Sequence, residues 1–482
     1  MQGYNYKTIP YDHQRVVLED SWSAKYYALF MEMGTGKTKV AIDTMAALYE
    51  AGKLKAALVI APKGVYDNWV KGEIPIHLPD RIPRKVCRWT AAKTKRFEEE
   101  LVDFIVEKEP FLKIFVMNVE ALSSSRGTAA ATAFLYQNPE NMVIVDESTT
   151  IKNRKAARTK NIMSLQKRSK YRRILTGSPI TKSPMDLFSQ CAFLEDKSLG
   201  FNSYYAFQSR YANIQQRTMG HRSFQQIMGY RRLDELSEKL DLFSNRVLKM
   251  DCLDLPPKVY VRRDVELTPE QTKVYRQMKK LALAKLENGE LATTASVLTQ
   301  IMRLQQICCG HLTPDEGEIQ PIKNNRLKEL LDVVEELQGK AIIWATYTHD
   351  IKQIATTLRE RFGPDSVATY YGETPQDERQ EIVNAFQDPT NPLRFFVGQP
   401  RTGGYGITLT AATTVIYYSN SYDLEIRLQS EDRAHRIGQT NKVTYIDLVS
   451  PGTIDEKILQ ALRDKIDIAG QVLGEDTKSW LR

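Results

Sequence analysis

Cysteine is scarce in this chain, with five in 482 residues and only Cys308 and Cys309 close together. That excludes a disulfide framework and a CxxC zinc pattern, and points to a reducing compartment. Cys308, Cys309 and His311 come nearest to a metal cluster, but adjacent cysteines splay apart and no second pair follows, so no metal is expected there. Long apolar runs are missing too. None approaches the roughly 20 residues of a membrane span, and Met1 to Pro10 lacks the basic-then-apolar layout of a signal peptide. A cytoplasmic protein with no membrane partner is the expectation. Low-complexity tracts and short-period repeats are also lacking.

Apolar residues make up 42% of the chain, enough for ordinary cores, and 482 residues suggest about three domain-sized units. The formal net charge of +8 leans toward a polyanionic partner. Its distribution says more. Lys152, Arg154, Lys155, Arg158 and Lys160 form one basic run, and Lys167, Arg168, Lys170, Arg172 and Arg173 form another. Solvated helix faces produce such runs as often as phosphate contacts do, but the runs follow a nucleotide motif, which favours nucleic acid.

That motif has two parts. Residues 31 to 38 read MEMGTGKT, after the apolar stretch Tyr26 to Phe30 and before a helical run from Lys39 to Tyr49. Gly34 and Gly36 let backbone N–H groups close on a polyphosphate at a helix N-terminus, where the dipole favours an anion. Lys37 then reaches the β/γ-phosphates and the Thr38 hydroxyl holds Mg²⁺. Met31 stands where GxxxxGK[ST] has its first glycine, so only GxGKT is intact. The second part is Asn141 to Val145, a short β-rich run ending in Asp146-Glu147. At the open end of a buried parallel strand, Asp146 holds Mg²⁺ and Glu147 orients and deprotonates the water that attacks the γ-phosphate. Together the two parts predict ATP binding and hydrolysis.

Apolar β-rich runs recur with helical stretches between them: Tyr27 to Met31, Ala56 to Ile60, Lys113 to Met117, Met142 to Val145 and Arg173 to Leu175. These read as one doubly wound parallel sheet. A polar, aromatic and helical region from about Met185 to Asn325 follows, with Pro256-Pro257 as an extended linker inside it. The pattern then restarts with Ala341 to Ala345, Val367 to Tyr371, Arg394 to Val397, Thr414 to Tyr418 and Val443 to Leu448. In this second lobe, Gly403-Gly404-Tyr405-Gly406 follows a strand, and Gln429 to Arg436 is predicted as helix. Arg433 and Arg436, three apart, would share one helix face and stabilise transition-state charge as arginine fingers do. A surface helix with Glu431 and Asp432 pairing locally is the plainer alternative.

These motifs resemble, in order and over nearly the whole chain, those of the Swi/Snf family of superfamily-two helicase-like ATPases. His13-Gln14 in PYDHQ resembles the adenine-reading glutamine motif, and ALVIAPKGVYDNWVKGE, from Ala57 to Glu73, looks like motif Ia. The acidic motif continues as DESTTIKN, and LTGSPI, from Leu175 to Ile180, looks like motif III. LPPKVYVRRDVELTPEQTKVY, from Leu255 to Tyr275, resembles the family's linker. YYGETPQDERQEIVNAF, GGYGITLTAA and QSEDRAHRIGQ resemble second-lobe motifs. Two departures stand out: Ser148-Thr149 where the family usually has Ala-His, and Met31 where it usually has an acidic residue.

The resemblance implies an α/β fold of two RecA-like doubly wound parallel-sheet lobes with helical insertions between them. Lobe 1 would span 1–250 with a protrusion from about 185, the linker and a second protrusion 251–325, lobe 2 326–452, and a C-terminal helical brace 453–482. It implies a DNA-stimulated ATPase that translocates on double-stranded DNA, with a DNA-bound protein as a further target, acting as a monomer. A compact motor core of the viral or bacterial type fits best, placed in a bacterial cell or virus-infected cytoplasm. ATP would be bound by Gln14, Gly34, Thr35, Gly36, Lys37, Thr38, Gly404 and Gln429, with Mg²⁺ on Thr38 and Asp146 and catalysis by Lys37, Glu147, Arg433 and Arg436. Lys63, Asn153, Arg401 and Thr402 are the candidates for nucleic-acid contact. Two other readings share these motifs: a helicase that separates or anneals strands of forked DNA or RNA, and a nucleotide-switched binding factor such as an RNA-polymerase-associated protein.

Overall fold

A computed structural model of the chain describes residues 4–63, 65–108, 110–219, 222–252, 255–287, 294–314, 318–375, 377–403 and 407–473. The chain divides into two compact units. The first comprises Met1–Ile214, Ile227–Asp254 and Asp467–Arg482, and the second Gln215–Gln226 and Leu255–Ile466.

In the first unit the β-branched and apolar runs become strands β1 (Tyr26–Met31), β2 (Ala56–Ala61), β3 (Arg84–Arg88), β4 (Leu112–Asn118), β5 (Asn141–Asp146) and β6 (Tyr171–Leu175). Strands β7 (Ala212–Met219) and β8 (Arg222–Tyr230), whose residues 215–226 belong to the second unit, pair in a sheet of their own, and β9 (Ser244–Val247) returns to the first unit. Among the described residues, seven strands form one sheet in the order β3-β4-β2-β5-β6-β1-β9, with every recorded pairing parallel. Successive residues of a strand point to opposite faces, so one run feeds two cores. Phe30, Leu58, Phe115, Val143 and Ile174 pack on one side, and Leu29, Val59, Val116, Ile144 and Leu175 on the other. Burial on both faces explains why β1, β2 and β5 read as nearly continuous apolar runs rather than as alternating ones.

The second unit repeats the plan. Its strands are β10 (Lys258–Asp264), a short antiparallel pair β11 (His311–Leu312) and β12 (Gln320–Pro321), then β13 (Lys340–Trp344), β14 (Val367–Tyr370), β15 (Phe395–Gly398), β16 (Ala412–Tyr417) and β17 (Val443–Val449). The sheet order is β10-β17-β16-β13-β15-β14, with β11 and β12 apart from it. Ala341 and Ile343 enter one core, Ile342 and Trp344 the other. Trp344 is fully buried, and its ring lies so close to Gly398 and Gly403 that a Cβ there would stand 2.8 and 2.6 Å from it.

Parts of the expected layout change. The stretch read as an extended linker after Pro256-Pro257 is strand β10, in parallel register with β17 from Lys258↔Val443 to Asp264↔Val449. The region from Met185 to Asn325 holds the β7–β8 hairpin and β9 besides helices such as Pro269–Glu287 and Thr294–Cys309. A helix, Ile454–Leu473, opens the proposed brace, and residues 474–482 lie outside the described residues. Among the described residues no helix is long and apolar enough to cross a membrane.

Candidate active site

Strands β5, β6 and β1 are neighbours in the first sheet. The loops leaving their C-terminal ends therefore meet at one edge, where open parallel sheets bind ligands.

The loop after β1 runs from Glu32 into the helix Lys37–Glu50. Gly34 and Gly36 have φ of +84° and +89°, a region where a side chain is strained. Thr35 closes the turn, its N–H and Oγ1 both donating to Glu32 O, at 3.2 and 2.8 Å. The helix Asp12–Ser21 grips it from outside: Gln14 Nε2 and His13 Nε2 both donate to Thr35 O, at 3.0 and 2.8 Å. A Cβ on Gly36 would stand 2.1 Å from Gln14 Nε2, so Gln14 occupies space that only glycine leaves. The amide read as an adenine contact thus supports the glycine loop here, while its Oε1 accepts from Tyr11 N at 3.1 Å. The leading N–H groups of the helix Lys37–Glu50 have no intrahelical acceptors and carry the positive end of its dipole.

The loop after β5 carries the acidic pair. Asp146 ends the strand, and Glu147 adopts a left-handed backbone at φ 46° and ψ 63°, a conformation costing about 1–3 kcal/mol for a residue with a side chain. That turn aims Glu147 at Lys37, with Oε1 3.4 Å from Nζ, while Thr176 Oγ1 donates to its Oε2 at 3.3 Å. Asp146 Oδ2 accepts from the buried Trp69 indole at 2.8 Å, and its Oδ1 accepts from Glu147 N at 3.0 Å. Burial pushes both carboxyls up, and the Lys37 ammonium pulls them back.

The third loop follows β6. A Cβ on Gly177 would lie 3.0 Å from Met33 N, so this loop rests on the glycine loop. Arg246 Nη1 joins them by donating to both Gly177 O and Phe30 O, at 2.9 and 3.1 Å. The unusual Ser148 donates to Gln190 Oε1 at 2.7 Å, and Gln190 Nε2 donates to Pro179 O at 2.8 Å. The acidic motif and the LTGSPI loop are therefore tied through one buried amide.

Gln14, Gly34, Thr35, Gly36, Lys37, Thr38, Asp146 and Glu147 thus belong to one set of facing loops in the first unit. Trp69, Thr176 and Gln190 support the set without having been singled out. Trp69 and Thr176 lie inside motif stretches, whereas Gln190 carries no sequence signal. Among the described residues no three of His, Cys, Asp or Glu cluster as metal ligands. Thr38 and Asp146 suit Mg²⁺, which takes one or two protein oxygens and fills its octahedron with phosphate and water.

In the second unit the helix Leu424–Glu431 stops before the arginines. Arg433 and Arg436 lie in the turn beyond it, not on one helix face. Tertiary bonds redirect the backbone there: Tyr445 OH takes Glu431 O at 2.9 Å, Leu409 N takes Arg433 O at 2.9 Å, and Gln439 Nε2 takes Ala434 O at 3.1 Å. Both guanidinium groups still converge, donating to Ile407 O at 3.1 and 3.4 Å. Arg433 Nε is also held by the carbonyl of Gln429 at 2.9 Å, while the Gln429 amide donates to Glu425 at 3.4 Å. Glu431 and Asp432 do not simply pair locally on a surface helix. Glu431 is buried, and although burial alone would raise its carboxyl, Lys258 and Arg427 hold it down at about 2. Gly404 lies outside the described residues.

The nucleic-acid candidates fall in both units. Lys63 and Asn153 are exposed in the first, with Asn153 Oδ1 accepting from Lys155 N at 3.0 Å. Arg401 is exposed in the second, beside Thr402, whose Oγ1 donates to Gln399 at 3.2 Å.

The SNF2-related domain family matches residues 25–312, and the helicase conserved C-terminal domain matches residues 322–438. The chain belongs to the SNF2-related family of superfamily-two helicase-like proteins. It is 27% identical over 454 residues to the mouse DNA annealing helicase and endonuclease ZRANB3, covering 92% of this chain and 38% of that protein. It is 27% identical over 463 residues to the Bacillus subtilis putative ATP-dependent helicase/translocase YwqA, covering 93% and 46%. The chain thus spans less than half the length of these curated relatives. A solved Sulfolobus solfataricus SWI2/SNF2 ATPase core in complex with dsDNA is 25% identical, covers 99% of this chain and 96% of its own, and has a TM-score of 0.43.

Proposed function

We propose that the chain is an ATP-driven translocase on double-stranded DNA. The observation that carries the ATPase half is the Lys37–Glu147 pair, held 3.4 Å apart where three strand ends meet. A polyphosphate on the glycine loop competes with Glu147 for the Lys37 ammonium, and its arrival frees Glu147 to take a proton from the attacking water. Gly34, Thr35, Gly36 and Thr38 cradle the phosphates, and Gln14, Gly404 and Gln429 complete the nucleotide contacts. Thr38 and Asp146 would hold Mg²⁺, which would supply charge neutralisation to the phosphate oxygens.

To Arg433 and Arg436 we assign the stabilisation of charge on the γ-phosphate as it leaves. Because that charge grows toward the transition state, Arg433→Ala and Arg436→Ala should each lower turnover far more than ATP affinity. Parallel measurement of kcat and of ATP binding checks this, and equal losses in both would count against the role.

The DNA half rests on family membership, on the second-lobe motifs and on the exposed cations. Contacts to phosphates predict steep salt dependence and little sequence preference. Lys63→Ala and Arg401→Ala should each reduce the slope of log affinity against log salt by about one unit, alike on different duplexes. The test of the whole reading is the ATPase rate with no nucleic acid, duplex DNA, single-stranded DNA and RNA. Greatest stimulation by duplex supports it, and stimulation by RNA alone overturns it. Triplex displacement beside forked-duplex unwinding then separates translocation from strand separation.

A further inference from the structure

The chain passes from the first unit into the second at Leu255, and the residues that follow are fastened to the arginine turn. Lys258 Nζ and Tyr260 OH both donate to Glu431 Oε2, at 3.0 and 2.7 Å. His435 Nε2 lies 2.8 Å from Pro256 O, and since a carbonyl only accepts, this nitrogen carries the proton. Glu431 and His435 flank Arg433 and contribute from both sides. Glu431 is itself locked, its Oε1 accepting from Arg427 Nε at 2.8 Å while Arg427 Nη2 pairs with Asp447 at 3.1 Å. Buried Arg427, Glu431 and Asp447 and the half-buried Lys258 thus balance two cations against two carboxylates. On the strand side, Tyr260 stacks on Tyr445 with ring centres 5.3 Å apart, and the Tyr445 hydroxyl holds Glu431 O. Pro256-Pro257 makes the entering segment stiff, so displacement of it is transmitted rather than absorbed.

We propose that Glu431 and His435 are positioning residues that join the entering segment to Arg433 and Arg436, so that movement of the linker sets where the arginines stand. The proposal rests on the arginine role given above. It predicts that cutting the tie on the linker side alone, by Lys258→Met with Tyr260→Phe, leaves the Glu431–Arg427 pair in place but misplaces the arginines.

The test is steady-state ATPase of the full chain with saturating duplex DNA, beside ATP binding and thermal unfolding. The double variant and His435→Ala should each lose about 10- to 100-fold in kcat, as small misplacements of a catalytic group do, with KM for ATP changed by less than about twofold. His435→Gln restores a donor toward Pro256 O and should recover most of the rate. Unchanged kcat, kcat and ATP affinity falling together, a loss no larger than the loss of folded protein, or His435→Gln as damaged as His435→Ala would each overturn the tie. Arg433→Ala and Arg436→Ala in the same assay separate the levels. If they are inactive while the tie variants are normal, only this inference falls; if they turn over normally, the arginine role falls and the tie with it.

Discussion

Replacing Lys37 by alanine is expected to lower ATP turnover by about three orders of magnitude or more, the scale at which phosphoryl transfer depends on its fixed cations. The lysine opens the helix Lys37–Glu50 and is buried, 8% exposed, with its ammonium 3.4 Å from Glu147. Its loss acts twice. The β/γ-phosphates lose a cation that costs nothing to reorganise, and Asp146 and Glu147 are left as two buried carboxylates without the charge that opposed their burial. A carboxyl pushed further up spends more of its time protonated and cannot serve as a base. Single-turnover hydrolysis with duplex DNA measures the effect, with circular dichroism melting as the control for folding. Near-normal turnover would remove this loop from the reaction.

Glu147→Gln should uncouple binding from turnover, with kcat lower by about 10²–10⁴, the usual worth of a general base. The substitution keeps the shape, and its amide oxygen still accepts from Thr176 Oγ1, so the left-handed turn at φ 46° loses none of its supports. It also dissolves the ion pair that occupies Lys37. ATP affinity should therefore stay the same or tighten while hydrolysis stalls. Titration with a fluorescent ATP analogue and a multiple-turnover assay give the two numbers. A variant that hydrolyses ATP at the normal rate would assign the base to another residue.

The interior strands of both sheets were legible because they are largely buried on both faces and so are rich in apolar and β-branched residues, each found within two residues of its expected place. Besides the separate two-stranded sheets, what escaped lies at the edges. β3 reads Arg-Lys-Val-Cys-Arg and β9 reads Ser-Asn-Arg-Val, and they are the two outer strands of the first sheet. β10, an edge of the second sheet, carries Val259, Tyr260 and Val261 at 37–39% exposure. Half-buried strands carry polar residues that break the pattern. The site divides in the same way. Gly34, Gly36, Lys37, Asp146 and Glu147 follow from local chemistry, because a short stretch must itself provide the phosphate loop or the strand-end carboxylates. Trp69, Thr176 and Gln190 act through hydrogen bonds to residues 29 to 77 positions away, a separation at which no spacing rule applies. The arginine turn was misread because helical spacing is a local signal, and Tyr445 and Leu409, which lie outside that stretch, take its backbone carbonyls.

The Trp344 ring pressed on Gly398 and Gly403 has an optical consequence. A fully buried indole emits at short wavelength and with high yield only while its surroundings stay dry and close-fitting, and Gly403 leads directly into the Gly404-Tyr405-Gly406 stretch. Any event that lifts Gly403 away from the ring opens it to water, shifting its emission to the red. The second unit thus holds an intrinsic fluorophore packed on Gly398 and Gly403, whose red shift would report displacement of either glycine without an attached dye.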